Sequence, residues 1–369
     1  MSDNNLFSAQ EMADRFMRIR MAMADLSLDA LVIQNQANIR YTTGFKGEPH
    51  TLLLTADEAV LYTSYRTLAW AEAQTVHTAV ELSTAATPHD DITQRLAGAA
   101  QSIGVDQSIS HTAFLKLQEK FTPHTLQPCS VIETARRVKS PAEIEILKQS
   151  QRINETIFNA VVEKIRPGMS EREVQGMILT EIATRTDVDG YSFTPIVAAG
   201  GNAWEIHHLP DHTEIKASDM LLLDLGVFYQ GYASDMTRTI CMGTASKAMH
   251  EIYITVGKAQ EAAIEAMLPG AQTHDIDHAA RSIIIAAGYG KTFTHGLGHS
   301  IGLETHDPGL NLSPFTPNEI LLPGMAFTVE PGIYLDGAFG VRTEDIVIIT
   351  ENGNQNITQQ SHSMTELNF

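Results

Sequence analysis

The run Met220-Leu221-Leu222-Leu223 ends on Asp224, and Asp235 follows eleven residues later, beyond a Gln230-Gly231 pair. A carboxylate inside so apolar a strand costs several kcal/mol on typical scales unless it is protonated, hydrogen-bonded or bound to a cation. Strand parity narrows the choice. Side chains alternate between the faces of a strand, so a two-residue loop at Gln230-Gly231 pairs position 224 with 237 and leaves Asp224 and Asp235 diagonal on one face. In the stretch AFTVEPGIYLDGAFGVRTEDIVII a turn centred on Gly337 sets Glu330 opposite Glu344, with Arg342 two residues along on the same face.

Four carboxylates on inward faces of apolar strands cannot all ionise without a compensating cation. The bland alternative is four ordinary exposed strand acids. The segment HGLGHSIGLETHD argues against it, because it adds His295, His299 and His306 between glycines. Oxygen-rich ligation with one imidazole suits manganese, cobalt, zinc or iron, and bridging carboxylates typify two-metal sites with ions ~3.5 to 4 Å apart.

The elements that must carry these groups fall into two parts. The first ~130 residues alternate a helix-like RFMRIRMAMADLSL with apolar runs at Ala30–Ile33, Thr51–Leu54 and Val60–Tyr62. That alternation predicts a small α/β domain over 1–135, with the rest of the chain, 136–369, as a second domain. Ser140, Pro141 and Glu143 form a helix-start signature, and Ile146, Ile153, Ile157, Val161 and Ile165 continue it as one long amphipathic helix. IRPGMSEREV and MLPGAQTHDI, 102 residues apart, both place Pro-Gly before a helix start, and each precedes a helix and then an acidic hairpin. Such a repeat would set the two hairpins face to face across a pseudo-twofold axis.

Composition excludes several classes. Lys+Arg 25 against Asp+Glu 44 gives a net charge of -19, which disfavours nucleic acid and anionic membranes as partners. Cys129 and Cys241 are the whole cysteine complement, too few for a disulfide scaffold or a cysteine-rich zinc cluster. MSDNNLFSAQEMADRF lacks the pattern of a secretory leader, and no apolar stretch approaches the ~18 residues of a membrane helix. A cytoplasmic protein is expected.

Asp224 in LLLDLG, Asp235 in SDMTRT, His299 in HGLGHSIGL, Glu330 in TVEPGIY and Glu344 in VRTEDIV resemble, in order and surroundings, the five metal ligands of the pita-bread metallopeptidases. NIRYTTGF at 38–45 is similar to the creatinase/prolidase N-terminal domain, so the resemblance is to the two-domain branch of aminopeptidase P and prolidase. It implies an α+β second domain whose curved antiparallel sheet, backed by outer helices, holds two divalent ions, manganese foremost. Asp235 and Glu344 would bridge the ions, Asp224 would chelate one, and His299 and Glu330 would complete the other. A bridging hydroxide would attack the peptide bond, with Glu330 as the proton acceptor.

The resemblance further implies His207 and His306 as substrate-side hydrogen-bond donors, with His208 and His212 as competitors for the first role. Arg342 would orient a ligand carboxylate and His295 would form part of the site wall. Phe193, Tyr229 and Tyr232 are aromatic candidates for a proline pocket. The expected substrates are proline-containing peptides and the expected assembly is a homodimer. Some prolidases place an arginine where this chain has Leu310, and the prolidase pattern usually has a branched aliphatic where it has Thr305; the first departure favours an Xaa-Pro aminopeptidase over an Xaa-Pro dipeptidase. A hydrolase or lyase of a small nitrogenous or sulfonium metabolite, and a non-catalytic binding module, are the other readings; metal-free creatinase is disfavoured by the complete ligand set.

Overall fold

The computed structural model describes residues 7–47, 51–83, 88–98 and 101–369; the first six residues of the stretch read for a leader lie outside it. The chain divides into two compact units, Met1–Arg136 and Arg137–Phe369. The first contains a six-stranded mixed sheet in the order Ala79–Leu82, Ala59–Thr63, Thr51–Thr55, Ala30–Ile33, Ser102–Asp106, Thr125–Cys129. All three apolar runs singled out in the sequence are strands here. The leading helix spans Ala9–Asp25, starting six residues before the predicted stretch because Ser8 caps it through Glu11 N.

The second unit opens with the helix Pro141–Val162, started by a complete Ser140–Glu143 capping box with Pro141 in its first turn. It stops at Val162, short of Ile165, which is nevertheless fully buried beside it. Ile153, Ile157 and Val161 of this helix, with Val174, Ile178 and Ile182 of the helix Glu171–Ala183, pack on Leu221, Leu223 and Leu225. Those leucines alternate with Leu222 and Asp224, so the strand Met220–Leu225 is buried on both faces and its aspartate points away from the helices. The helices Lys247–Ala266 and Thr273–Ala286 cover Phe327, Val329, Val341, Val347 and Ile349 of the second hairpin in the same way.

The internal repeat is written in hydrogen bonds. Gly168 N donates to Ile215 O at 2.9 Å and Gly270 N to Leu321 O at 2.8 Å; Ile215 N reaches Met169 O at 2.8 Å and Leu321 N reaches Ala271 O at 2.9 Å. Glu171 N to Thr213 O at 3.1 Å and Thr273 N to Glu319 O at 2.9 Å complete the match. Both glycines sit at positive φ, +91° and +86°, where a side chain would be strained.

Register follows the parity argument. Asp224 pairs with Thr237 and Tyr229 with Tyr232, around a loop of Gln230 and Gly231 at φ +47° and +81°, as a type I′ turn requires. Gly332 pairs with Arg342 and Val329 with Asp345, so Glu330 and Glu344 oppose each other in the gap between two ladder segments at Pro331. Arg238 joins the two hairpins. Its guanidinium donates to Glu344 O at 2.7 Å, Thr237 O at 3.0 Å, Gln360 O at 2.9 Å and Ser361 O at 3.2 Å, and pairs with buried Asp345 at 2.7 Å.

Arg238→Met takes the guanidinium from Asp345, leaving it Asn356 and His362, and leaves several carbonyls without a donor; removing one partner of a buried pair costs up to ~3–5 kcal/mol. The expected outcome is a lower urea midpoint for the unit 137–369, followed by tryptophan-independent far-ultraviolet dichroism.

Candidate metal centre

The site residues line one cleft, a hollow of about 440 Å³. Asp224 and Asp235 come from the first hairpin, Glu330 and Glu344 from the second. His299 lies on the short strand Gly298–His299, its backbone N donating to Thr328 Oγ1 at 3.0 Å. Gly298 is required there, because a Cβ would stand 2.0 Å from Thr328 O. All five line the cleft, together with His207, His295, His306 and Arg342.

Distances show how closely they converge. His299 Nε2 lies 3.7 Å from Asp235 Oδ2 and 3.5 Å from Glu330 Oε1. One donor atom each from Asp235, His299 and Glu344 fall within 4.8 Å of one another. Arg342 Nη2 contacts Asp224 Oδ2 at 2.5 Å, while Asp224 Oδ1 is buried without a hydrogen-bond partner.

The electrostatics say what is needed to balance the site. Burial, then the charges of Glu344, Asp224 and Glu330, push the Asp235 carboxyl well above its usual range. Burial and the neighbouring acids do the same to Glu344, and burial lifts Glu330 to about 8. Burial, reinforced by His306, holds His299 down to about 3, so its imidazole is neutral and has a lone pair to give. Four converging carboxylates, one neutral imidazole and an orphaned carboxylate oxygen are the donor set of hard or borderline divalent cations, and such ions fit here.

Two residues that the sequence reading passed over support this set. Thr237, opposite Asp224 in register, donates its hydroxyl to Glu344 Oε2 at 2.8 Å and accepts from Arg342 Nε at 3.0 Å. Tyr334 OH lies 3.2 Å from Arg342 Nη1 and 2.9 Å from His295 Nε2. Only parity could have found Thr237, as the residue paired with the aspartate. Tyr334 carries no sequence signal beyond its neighbourhood.

Around the acids, His306 stacks on His299 with ring centroids 3.9 Å apart, and burial, then His207, keeps it below its ordinary pKa. His295 is held down to about 3 by burial and then by Arg342, and packs edge-on against Phe293. Of the three histidines in the His207 segment, His207 lines the cleft, His208 is buried against Glu171 and His212 is exposed. Phe193 reaches the cleft wall, but Tyr229 and Tyr232 do not line it. Tyr232 instead donates to Glu143 Oε1 at 2.7 Å, and Tyr229 packs on the core behind the first hairpin. Leu310 is a core residue, and Thr305 lines the cleft with its hydroxyl on Ser192 O.

The model of metallopeptidase family M24 matches residues 145–351, more than half of the chain. The chain belongs to this family. The creatinase/prolidase N-terminal domain matches residues 15–138, which gives the two-domain arrangement. Among relatives, the chain is 31% identical over 357 residues to the Xaa-Pro dipeptidase of Pyrococcus furiosus, covering 96% of this chain and 100% of that one. In structure it is similar to an Xaa-Pro dipeptidase from Bacillus anthracis, with a TM-score of 0.91 and 31% identity over 96% of this chain and 100% of the other. It is similar as well to an X-Pro aminopeptidase from Thermotoga maritima, with a TM-score of 0.86 and 29% identity over 94% and 100% of the two chains.

Thr237→Val keeps the shape of the hairpin but removes the hydroxyl that orients Glu344. Groups that hold a ligand side chain typically contribute ten- to a hundredfold to metal affinity, so roughly that loss is expected in calorimetric titration with a divalent cation, together with a lower melting temperature of the metal-free protein, because Arg342 Nε loses its buried acceptor.

Proposed function

We propose that this protein is a divalent-metal-dependent exopeptidase that hydrolyses the bond before proline, using Asp224, Asp235, His299, Glu330 and Glu344 as metal ligands. The observation that carries the reading is the convergence of those five side chains on the floor of one cleft. The names of the relatives with full-length coverage support the Xaa-Pro specificity.

Bound divalent ions, two per chain, would neutralise the clustered acids and make a water molecule acidic enough to ionise near neutral pH. Manganese is our first assignment, on the oxygen-rich donor set. Glu330, at the cleft floor within 3.5 Å of His299, takes the proton from the attacking water and passes it to the departing nitrogen. His207 and His306 donate N–H groups to the scissile carbonyl as negative charge builds on its oxygen, a contribution worth about 3 kcal/mol per donor. Arg342 fixes Asp224, and Tyr334 with His295 braces Arg342 from the far side.

An Xaa-Pro nitrogen carries no hydrogen, so the enzyme must recognise the ring by shape. Phe193, Ile196 and Ile206 give the cleft an apolar wall suited to a pyrrolidine. Peptide length divides the reading in two. Two of the three relatives named above are Xaa-Pro dipeptidases, which favours dipeptides. The cleft favours longer peptides, because the one arginine or lysine among its described lining residues is Arg342, already bonded to Asp224, Thr237 and Tyr334, and no free cation faces a proline carboxylate.

Homodimeric assembly, on the family resemblance, and cytoplasmic residence, on the free cysteines Cys129 and Cys241, complete the proposal. Among the described residues, no helix is long and apolar enough to cross a membrane. The charge of -19 supports small peptides rather than nucleic acid or anionic lipid as partners.

With manganese, the purified protein is expected to release the first residue from Ala-Pro or Ala-Pro-Ala, and to lose that activity on chelation. Glu330→Gln should lower kcat by about 10²-fold or more. Inertness towards both peptides, alongside turnover of a compatible solute, would replace the peptidase reading with the metabolite one. The ratio of dipeptide to tripeptide kcat/KM assigns the length preference.

A further inference from the structure

Glu171 is a fully buried acid that the metal centre does not use. It is the first residue of the helix Glu171–Ala183, and its carboxylate gathers four donors from one loop. One oxygen accepts Ala199 N at 2.8 Å and Asn202 Nδ2 at 3.0 Å; the other accepts His208 Nε2 at 2.7 Å and Asp211 N at 3.2 Å. These contacts fall at residues 199, 202, 208 and 211, along the first part of the segment that links the strand Ile196–Ala199 to the strand Met220–Leu225. His207, beside His208 in sequence, is presented to the cleft by this loop together with Ile206.

The second copy of the internal repeat has no acid at this position. The second copy makes the same three backbone bonds, yet holds Thr273 where the first holds Glu171. The Thr273 hydroxyl meets Asn318 and no charge is buried there. Both copies follow with a loop that brings a histidine to the cleft, His207 in the first and His306 in the second, and the first ties its loop to the carboxylate at the helix start where the second has a threonine.

The charges in this corner are also committed. Burial draws the His208 imidazole down, but its bonds to Glu171 and Glu205 prevail and its pKa is raised, with Asp211 as the third carboxylate nearby. Glu171, His208 and Asp211 lie close enough together to suggest a second cation site. Both Glu171 oxygens, however, are already saturated by protein donors, so no lone pair is aimed at an ion.

We propose that Glu171 is a positioning residue that, through His208 and the loop backbone, holds His207 at the cleft for substrate. The inference rests on the reading of His207 as a substrate-side donor. Glu171→Gln is the informative change, because it puts an amide N–H among donors that need an acceptor, while keeping the side chain's size. His208→Gln is the second variant, since it leaves Glu171 in place and removes the imidazole link.

A double-mutant cycle with His207→Ala, on the manganese-loaded full chain with an Xaa-Pro substrate, reads the connection. His207→Ala is expected to lower kcat by ~10²-fold. Glu171→Gln and His208→Gln should each lower kcat by about tenfold, with KM changed less than threefold, and cost less than twofold when His207 is already alanine. Manganese stoichiometry and melting temperature, read on the same samples, separate a lost site or fold from a misplaced histidine. Should Glu171→Gln and His208→Gln misfold, Glu171→Asp, which keeps the charge but shortens the side chain, takes their place in the cycle, and a kcat loss in it as large in the His207→Ala background as in the wild type overturns the positioning role. Equal losses in both His207 backgrounds overturn the positioning role while leaving the His207 reading intact. Wild-type kcat in His207→Ala overturns both, because there is then nothing for Glu171 to act through.

Discussion

Asp224, Asp235, Glu330 and Glu344 repel one another in a cleft that gives them little water, and the rest of the catalytic unit is arranged to bear that repulsion. Burial and the neighbouring charges raise the Asp235, Glu330 and Glu344 carboxyls towards their protonated forms. The folded protein supplies one fixed cation, Arg342, and bonds it to one acid. The remaining charge calls for ions from solution, and the neutral His299 is ready to help hold them.

Keeping repelling groups together requires stiff support, which the repeat provides. Each half contributes an acidic hairpin backed by its own pair of helices. The hairpins are then stitched across: Glu344 N donates to Thr237 O, the Thr237 hydroxyl reaches Glu344, and Arg238 bonds to both strands. Polar side chains of the helices finish the work. Asn154 donates to Leu225 O and Gln260 to Val329 O, in each case the last carbonyl before the interruption in its strand.

The parts legible in the sequence are those that a local rule governs. A period of two and an Asn-Gly-like turn at Gln230-Gly231 gave the face shared by Asp224 and Asp235, and the same parity about Gly337 placed Glu330 opposite Glu344. The capping box at Ser140 marked a helix start to the residue. What stayed hidden depends on distant segments meeting. Arg238 reads as one more polar residue in SDMTRT until the strand after Glu344 and the segment near Ser361 arrive beside it. Glu171 looks like the solvated acid common in a helix's first turn, and only the loop folded over it turns it into a buried hub. Tyr232 was misjudged for the same reason: parity gives its face, but the helix packed on that face, with Glu143, decides what it touches.

Elemental analysis of the purified chain, equilibrated with manganese and dialysed, combined with anomalous diffraction from the same preparation, tests the central claim most directly. The account predicts two ions per chain, within bonding reach of Asp224, Asp235, His299, Glu330 and Glu344. A chain that retains no ion, or holds its ions away from those five side chains, would contradict it.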